Sequence, residues 1–401
     1  SLADQGFAVE IAAVWAHGLA EEEQDGEVII RRHRPKPPEG GPPGRLDRLI
    51  LWGHRLSGRL LPPLGRLPPL TSRTLRRVFL WPLQMHDWWA TLRREVPPAD
   101  LYHACGYLAV PVALELARRA RRQGRRGRVI YDVIDVVLDS NLYMAVPRPL
   151  VALYKLKERG WVRQVDAVVT VNQPIADHLE RIWHLRERPT VLLNCPPRWA
   201  PPAERPDLIR QAIGIPPERW IVLFLGRLVR EKGLDEAAEA VLGLEDAALV
   251  VIGAGLLHER VSARDRDPRY SGRHFTLPLV HPDALAEWTA SADVSFVAMP
   301  DNSLNQRLSS PNKFWESITA GTPVVVGRGL SFMRGIVERE RLGATAGPTD
   351  PADLARAFRA VLEQPPDDLE AMRGRCVTVA RERYHWERTV RPYLALVRRL
   401  S

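Results

Sequence analysis

Ile221–Asp235, IVLFLGRLVREKGLD, decides the fold. Ile221 to Leu225 is an apolar run of strand character, and Gly226 stops it. A basic loop with Arg227, Arg230 and Lys232 follows, and a helix opens after Gly233. Leu234, Ala238 and Val241 fall at i, i+4 and i+7, and Asp235 and Glu236 sit in the first turn, where the helix dipole favours acids. In an α/β protein, cations and the N–H groups of a helix start converge at such a loop, so the stretch reads as a diphosphate site.

Further units follow on the C-terminal side. Ala248–Ile252 is a second apolar strand ending in Gly253-Ala254-Gly255, where the missing Cβ atoms allow a ligand close to the backbone. Asp293–Ala298 is another strand, followed by an Asn- and Ser-rich loop and the helix start Pro311-Asn312-Lys313-Phe314-Trp315-Glu316. That helix runs into Ala320-Gly321-Thr322-Pro323 and the strand Val324–Val326. Toward the N-terminus, Phe7–Trp15, Asp100–Ala104, Arg128–Val133, Asp166–Val171 and Val191–Asn194 have strand character, with helices over Val110–Arg122 and Gln173–Trp183.

The order is strand and helix in alternation, which predicts an α/β chain of Rossmann-like halves. Cys195–Pro206 holds five prolines in twelve residues and makes a stiff connector. We therefore expect one domain over residues 1–195, a linker over 196–206, a second domain over 207–384 and a terminal helical segment over 385–401.

Three segments in this order, GRLVREKGLDEAAEA, VVIGAG and SSPNKFWESITAGTPVVV, resemble the nucleotide-sugar domain of the GT-B retaining glycosyltransferases of family 4. The resemblance is good over roughly residues 160–400 and looser before them. It implies two Rossmann-like domains facing each other across a cleft, the C-terminal helix crossing back to the first. It also implies an NDP-sugar donor, a glycan or lipid-linked acceptor, and no cofactor or metal.

Residue by residue, the resemblance assigns Arg227 and Lys232 to the diphosphate and Glu316, the second glutamate of an E-x7-E pattern, to the ribose hydroxyls. A carboxylate suits a vicinal diol because its two oxygens accept two hydrogen bonds. Ser310, Asn312 and Lys313 are expected at the donor sugar or phosphate, Gly226 and Gly255 beside the donor, and the base against backbone near Leu279 and Val280. His103 matches a strand-end histidine near the transferred sugar. The chain departs from the pattern at Leu308 (first glutamate), Gly106 (an aspartate) and Ile134 (a histidine).

The resemblance further implies retention of configuration. No carboxylate is placed as a covalent nucleophile, so a same-face displacement, with the leaving phosphate taking the acceptor's proton, is the economical mechanism. Fixed cations stabilise the charge that develops on that leaving group. The alternative is a non-catalytic GT-B protein that binds nucleotide-sugar or membrane without turnover. A sugar-nucleotide epimerase on this fold would need additional carboxylates around the sugar, and none stands in a matching place.

The 401 residues are long enough for two cores, and 45% hydrophobic with 26% charged residues is a globular composition. A net charge of +9 favours acidic partners: nucleotide-sugars, nucleic acid or an anionic membrane face. No RNP, zinc-finger or helix-turn-helix signature supports nucleic acid. Seven arginines between Arg118 and Arg128 make either a solvated helix end or a patch for anionic lipid.

Cys105, Cys195 and Cys376 are isolated, which points to a reducing compartment and away from disulfides or a zinc site. No apolar run reaches the length of a membrane span and no signal peptide is visible, so a cytoplasmic location, with peripheral contact to the inner membrane face, is expected. Ser1–Gln5 reads as the last turn of a helix stopped at Gly6, so a preceding first strand is expected to be missing. Arg31–Pro69, rich in Pro, Gly and Arg, reads as an exposed insertion. Thr71–Glu95 reads as a helix that carries Phe79, Trp81, Met85, Trp88 and Trp89, a face that packs on the first domain or grips an acceptor or bilayer.

Overall fold

The computed structural model describes residues 2–16, 18–34, 81–144 and 146–401, with nothing said of the side chains of 81–87. The expected insertion beyond Arg34 and the part of the aromatic helix over residues 71–80 lie outside the described residues. By contact the chain divides into two units: unit 1 holds Ser1–Val169, Arg186–Arg188 and Leu394–Ser401, and unit 2 holds Thr170–Leu185 and Pro189–Tyr393. Thr170–Leu185, within the expected first domain, thus groups by contact with unit 2, as does the Pro-rich Cys195–Pro206.

Unit 1 contains two sheets where one was expected. β1 (Val9–Val14) pairs in parallel with β3 (Val28–His33), and β2 (Glu22–Asp25) pairs antiparallel with β3. This hairpin escaped the sequence reading because ion pairs, not apolar alternation, mark its strands: Arg31 reaches Glu10 at 2.6 Å and Glu22 at 3.0 Å, and Arg32 reaches Glu23 at 2.7 Å. Arg31–His33 is therefore strand, which corrects the start of the expected loop. Helix α1 (Trp81–Glu95) buries Trp88, and its Trp89 Nε1 donates to Leu108 O at 2.9 Å, so these two aromatics pack inward.

The second sheet of unit 1 runs in the order β4 (Leu101–Cys105), β5 (Arg128–Val133), β6 (Ala167–Thr170), with α2 (Val110–Arg122) and α3 (Arg148–Val162) in the connections. Five of the seven arginines in the 118–128 run are engaged by unit 1 itself. Arg118 donates to Gln164 at 2.5 Å, Arg121 to Gly127 O at 2.5 Å, and Arg119 to the carbonyls of Arg93 and Val96; Arg125 and Arg128 pair with Asp100 and Asp166. The expected terminal helix is two helices, Trp386–Thr389 and Arg391–Leu400, because Pro392 has no N–H to give the Arg388 carbonyl.

Unit 2 begins with α4 (Gln173–Trp183) and the short strand β7 (Thr190–Val191), after which α5 (Leu208–Ile213) leads into a six-stranded parallel sheet. Its strands are β8 (Trp220–Leu225), β9 (Ala247–Ile252), β10 (His274–Leu277), β11 (Val294–Val297), β12 (Val324–Gly327) and β13 (Gly343–Ala346), in the spatial order β10-β9-β8-β11-β12-β13. Every pair is parallel. β8 is buried on both faces: Val222 and Phe224 join one apolar cluster, Ile221, Leu223 and Leu225 the other. A strand covered on both sides reads as a continuous apolar run, which is why IVLFL was legible.

One buried carboxylate ties this layer together. Asp293 accepts from Arg205 at 2.9 Å, Arg373 at 3.1 Å, Arg210 at 2.7 Å and the Ile221 amide at 2.8 Å. Burial and the Arg205 charge bring Arg373 down to about 10 despite the aspartate.

Candidate functional site

In unit 2 the chain order reverses between β8 and β11: β9 and β10 extend the sheet on one side, β12 and β13 on the other. Ligands of doubly wound sheets bind outside the carboxyl ends of the strands at such a switch point. The residues singled out from the sequence follow those two strands.

After β8 comes Gly226, whose N–H donates to Ile252 O at 3.0 Å, then Arg227, exposed, and Lys232, half-buried. The Lys232 ammonium lies 3.4 Å from Met299 Sδ, just beyond the end of β11. The loop bends through Glu231, which holds φ at 65° and accepts from Gln306 Nε2 at 3.1 Å. Helix α6 (Leu234–Leu242) then opens at Gly233 with no side chain capping its first amides.

After β11 come α7 (Leu304–Leu308) and α8 (Asn312–Thr319). Lys313 and Glu316, three residues apart, share one face of α8. Lys313 Nζ is buried 3.9 Å from the Phe224 ring centroid and 5.7 Å from that of Phe296, and no described residue accepts a hydrogen bond from it. Burial, and then the Lys232 charge, push its pKa well below the usual ammonium value, against the pull of Glu316. Glu316 is raised, by burial first, with Lys313 opposing. The structure thus brings Lys232, Lys313 and Glu316 together: two amines and a carboxyl group in a partly dehydrated space beside the β8 and β11 ends.

Other expected residues have neighbours within unit 2. The side of Gly255 where a Cβ would stand is filled by protein: that atom would lie 2.4 Å from Leu228 O, and one on Gly253 would lie 2.0 Å from Gly226 O. These glycines let the loops after β8 and β9 close on each other, with Leu228 N donating to Ala254 O at 2.9 Å. Val280 stands past the end of β10, which stops at Leu277 before Pro278, and packs against the cluster of Ile221, Leu225 and Ile252 while Leu279 is exposed. Asn312 is exposed and accepts from Asn194 Nδ2 at 3.0 Å.

Asn172 was missed in the sequence. Fully buried, it caps α4 by accepting from Ile175 N at 2.9 Å, and its amide donates to Leu308 O at 2.7 Å and Ser310 Oγ at 3.0 Å. The run Asn172-Gln173-Pro174 signals a helix start. Nothing local signals that its side chain holds a segment 136 residues away.

In unit 1, His103 Nε2 lies 3.0 Å from Asp132 Oδ2. The β4–β5 register puts Cys105 opposite Asp132, and Gly106 N donates to Asp132 O at 2.8 Å. Asp132 is the orienting partner that sequence reading did not assign. The donor atoms of His103, Cys105 and Asp132 lie within 4.8 Å of one another, so among the described residues this trio has the chemistry to hold a metal ion.

The architecture is that of an α/β protein of the GT-B type. A sucrose-phosphate synthase from Thermosynechococcus elongatus superposes with a TM-score of 0.71 at 17% identity, over 100% of this chain and 90% of that one. The Anabaena HepE protein in complex with UDP superposes with a TM-score of 0.60 at 16% identity, over 79% and 82% of the two chains.

More particularly, residues 206–383 match the family model of glycosyl transferases group 1. The chain is similar to a D-inositol 3-phosphate glycosyltransferase of Acidothermus cellulolyticus, 30% identical over 202 residues, 47% of this chain and 43% of that protein. It is also similar to a 2-deoxystreptamine glucosyltransferase of Streptomyces kanamyceticus, 28% identical over 180 residues, 44% of each chain. The match spans under half the length of these curated relatives.

Proposed function

We propose that this chain is a retaining glycosyltransferase of family 4 that moves a sugar, a hexose in the first instance, from an NDP-sugar to a glycan or lipid-linked acceptor. The setting is cell-surface polysaccharide or glycolipid synthesis at the cytoplasmic face of the membrane. The observation that carries the reading is the gathering of Lys232, Lys313 and Glu316 at the switch point between β8 and β11, with Arg227 in the same loop. UDP and UDP-glucose in structures of the HepE neighbour support a nucleotide-sugar donor.

Arg227 and Lys232 hold the diphosphate and stabilise the charge that grows as the sugar–phosphate bond breaks. Glu316 accepts from the ribose hydroxyls. Lys313, already shielded from water beside Phe224, turns to the anionic donor when it binds. Asn172 fixes the Leu308 carbonyl and the Ser310 hydroxyl beside the donor sugar. His103, oriented by Asp132, serves the acceptor. The leaving diphosphate takes the acceptor's proton in a same-face displacement, and no metal or other cofactor enters.

Preorganised cations of this kind contribute about 3–4 kcal/mol each to a transition state, so Arg227→Ala lowers kcat by at least about a hundredfold. Transfer from a panel of NDP-sugars by the two proteins is the test, and equal rates would sink the assignment. A second reading is a non-catalytic GT-B binder of nucleotide-sugar or membrane; Leu308, where the first glutamate of the pattern would stand, favours it. Saturable nucleotide binding with neither transfer nor hydrolysis would decide for that reading.

A further inference from the structure

Helix α3 carries its apolar residues on the wrong side for a solvated helix. Its inward face is held by Tyr154, whose ring lies 6.2 Å from that of Tyr143, by Trp161, 5.3 Å from Tyr107, and by Glu158, which accepts from Tyr131 at 2.8 Å. The outward face carries Pro149, Leu153 and Leu156, with Leu153 46% and Leu156 65% exposed. The 141–144 segment beside it exposes Leu142 at 49% and Met144 at 66%. Four of the eleven large exposed hydrophobics among the described residues therefore fall within fifteen positions. Single exposed leucines need no explanation, whereas a contiguous group marks a contact surface.

The charges around this group choose its occupant. At 100° per residue, Leu153 and Leu156 centre the outward arc; Arg148, Lys155, Arg159 and Arg163 flank it on one side and Lys157 on the other. From Ile134 to Arg163 the chain has five cations and three acids. Of these acids Asp139 is paired with Lys155 at 2.6 Å, and Glu158 is turned inward and raised to about 7, by burial above all. An apolar centre with a row of cations along one edge and Lys157 at the other is the pattern of a helix lying in the headgroup layer of an anionic bilayer, its leucines among the acyl chains and its cations at the phosphates. No described helix is long and apolar enough to cross a membrane, so contact is at the surface.

We propose that the outward face of α3, with Leu142 and Met144, docks this protein on anionic lipid. The proposal rests on the glycosyltransferase reading only for its purpose, which is to bring a membrane-borne acceptor to the enzyme. The test needs no turnover: co-sedimentation of the whole chain with vesicles of phosphatidylcholine alone or with about 30% phosphatidylglycerol, a composition chosen for surface charge. Binding to the anionic vesicles is expected to exceed binding to neutral ones by about tenfold or more and to fall with salt. Leu153→Glu with Leu156→Glu should abolish it. Arg148→Glu with Lys157→Glu should lower it at least about tenfold, with circular dichroism and melting temperature unchanged because all four side chains are solvent-facing.

Equal binding to both vesicle types, or anionic binding that survives both variants, would overturn the proposal. So would a concentration-dependent dimer in light scattering that Leu156→Glu dissolves, since a second copy would then be the occupant. Loss of vesicle binding with donor affinity intact separates failure of this inference from failure of the donor-site reading.

Discussion

Lys313 shows how one side chain can couple folding to function. Its ammonium lies 3.9 Å from the Phe224 ring centroid with no described acceptor, and burial holds its pKa below the ordinary 10.5. The unfolded chain keeps the ordinary value, so between the lowered value and 10.5 the unfolded state binds more protons. Stability contributed at this position therefore rises with pH through that window, and the penalty is fully present below it. Lys313→Met removes the buried amine; at neutral pH it is expected to be at least as stable as the parent, by on the order of 1 kcal/mol, with the advantage shrinking as pH rises toward the ordinary lysine value. The same variant should bind nucleotide about ten- to a hundredfold more weakly, the loss of one hydrogen bond to a charged group. Denaturant titrations at several pH values and nucleotide calorimetry check both halves. A variant with weaker folding and unchanged affinity would place Lys313 in the core alone.

Between elements, the loops after β8 and β9 lock because Gly253 has no side chain. An added Cβ would stand 2.0 Å from Gly226 O, a backbone atom that cannot swing aside. Gly253→Ala must push the Gly226–Leu228 loop outward, carrying Arg227 with it. We expect a loss of about 1–3 kcal/mol in stability and a larger fractional loss in nucleotide affinity, read by melting and by calorimetry on the same sample. If affinity is retained in the destabilised variant, the loop does not hold Arg227 at the donor. The sequence exposed this glycine but not its reason: GAG after a strand says that something comes close, and here the close neighbour is the protein's own loop. Legibility followed the range of the interactions. The βα units of unit 2 were readable because parallel strands buried on both faces are continuous apolar runs and helix starts carry local signals. The Glu22–His33 hairpin, the Asn172 tether to Leu308 and Ser310, and the His103–Asp132 pair depend on register or distant partners, which no window of sequence contains.

For the whole molecule, the two proposed ligands should leave separate footprints. The donor residues belong to unit 2, in the loops Gly226–Gly233 and Leu308–Glu316; the lipid-facing residues belong to unit 1, in the 142–157 segment. A ligand that binds only the folded state adds about 2.7 kcal/mol at about 100 times its Kd, so a tight nucleotide-sugar should raise the melting temperature by a few degrees. Amide exchange locates that gain: slower exchange is expected over the two unit 2 loops with nucleotide, and over the first turns of α3 with anionic vesicles. Neither ligand should protect the other's segment when added alone. Arg227→Ala should erase the first footprint and leave the second, and Leu153→Glu with Leu156→Glu should do the reverse. Nucleotide protection confined to unit 1 would place the donor away from the β8–β11 switch point. Crossed loss, in which one pair of substitutions erases both footprints, would mean that the two surfaces are not independent and that donor and lipid are read by a single site.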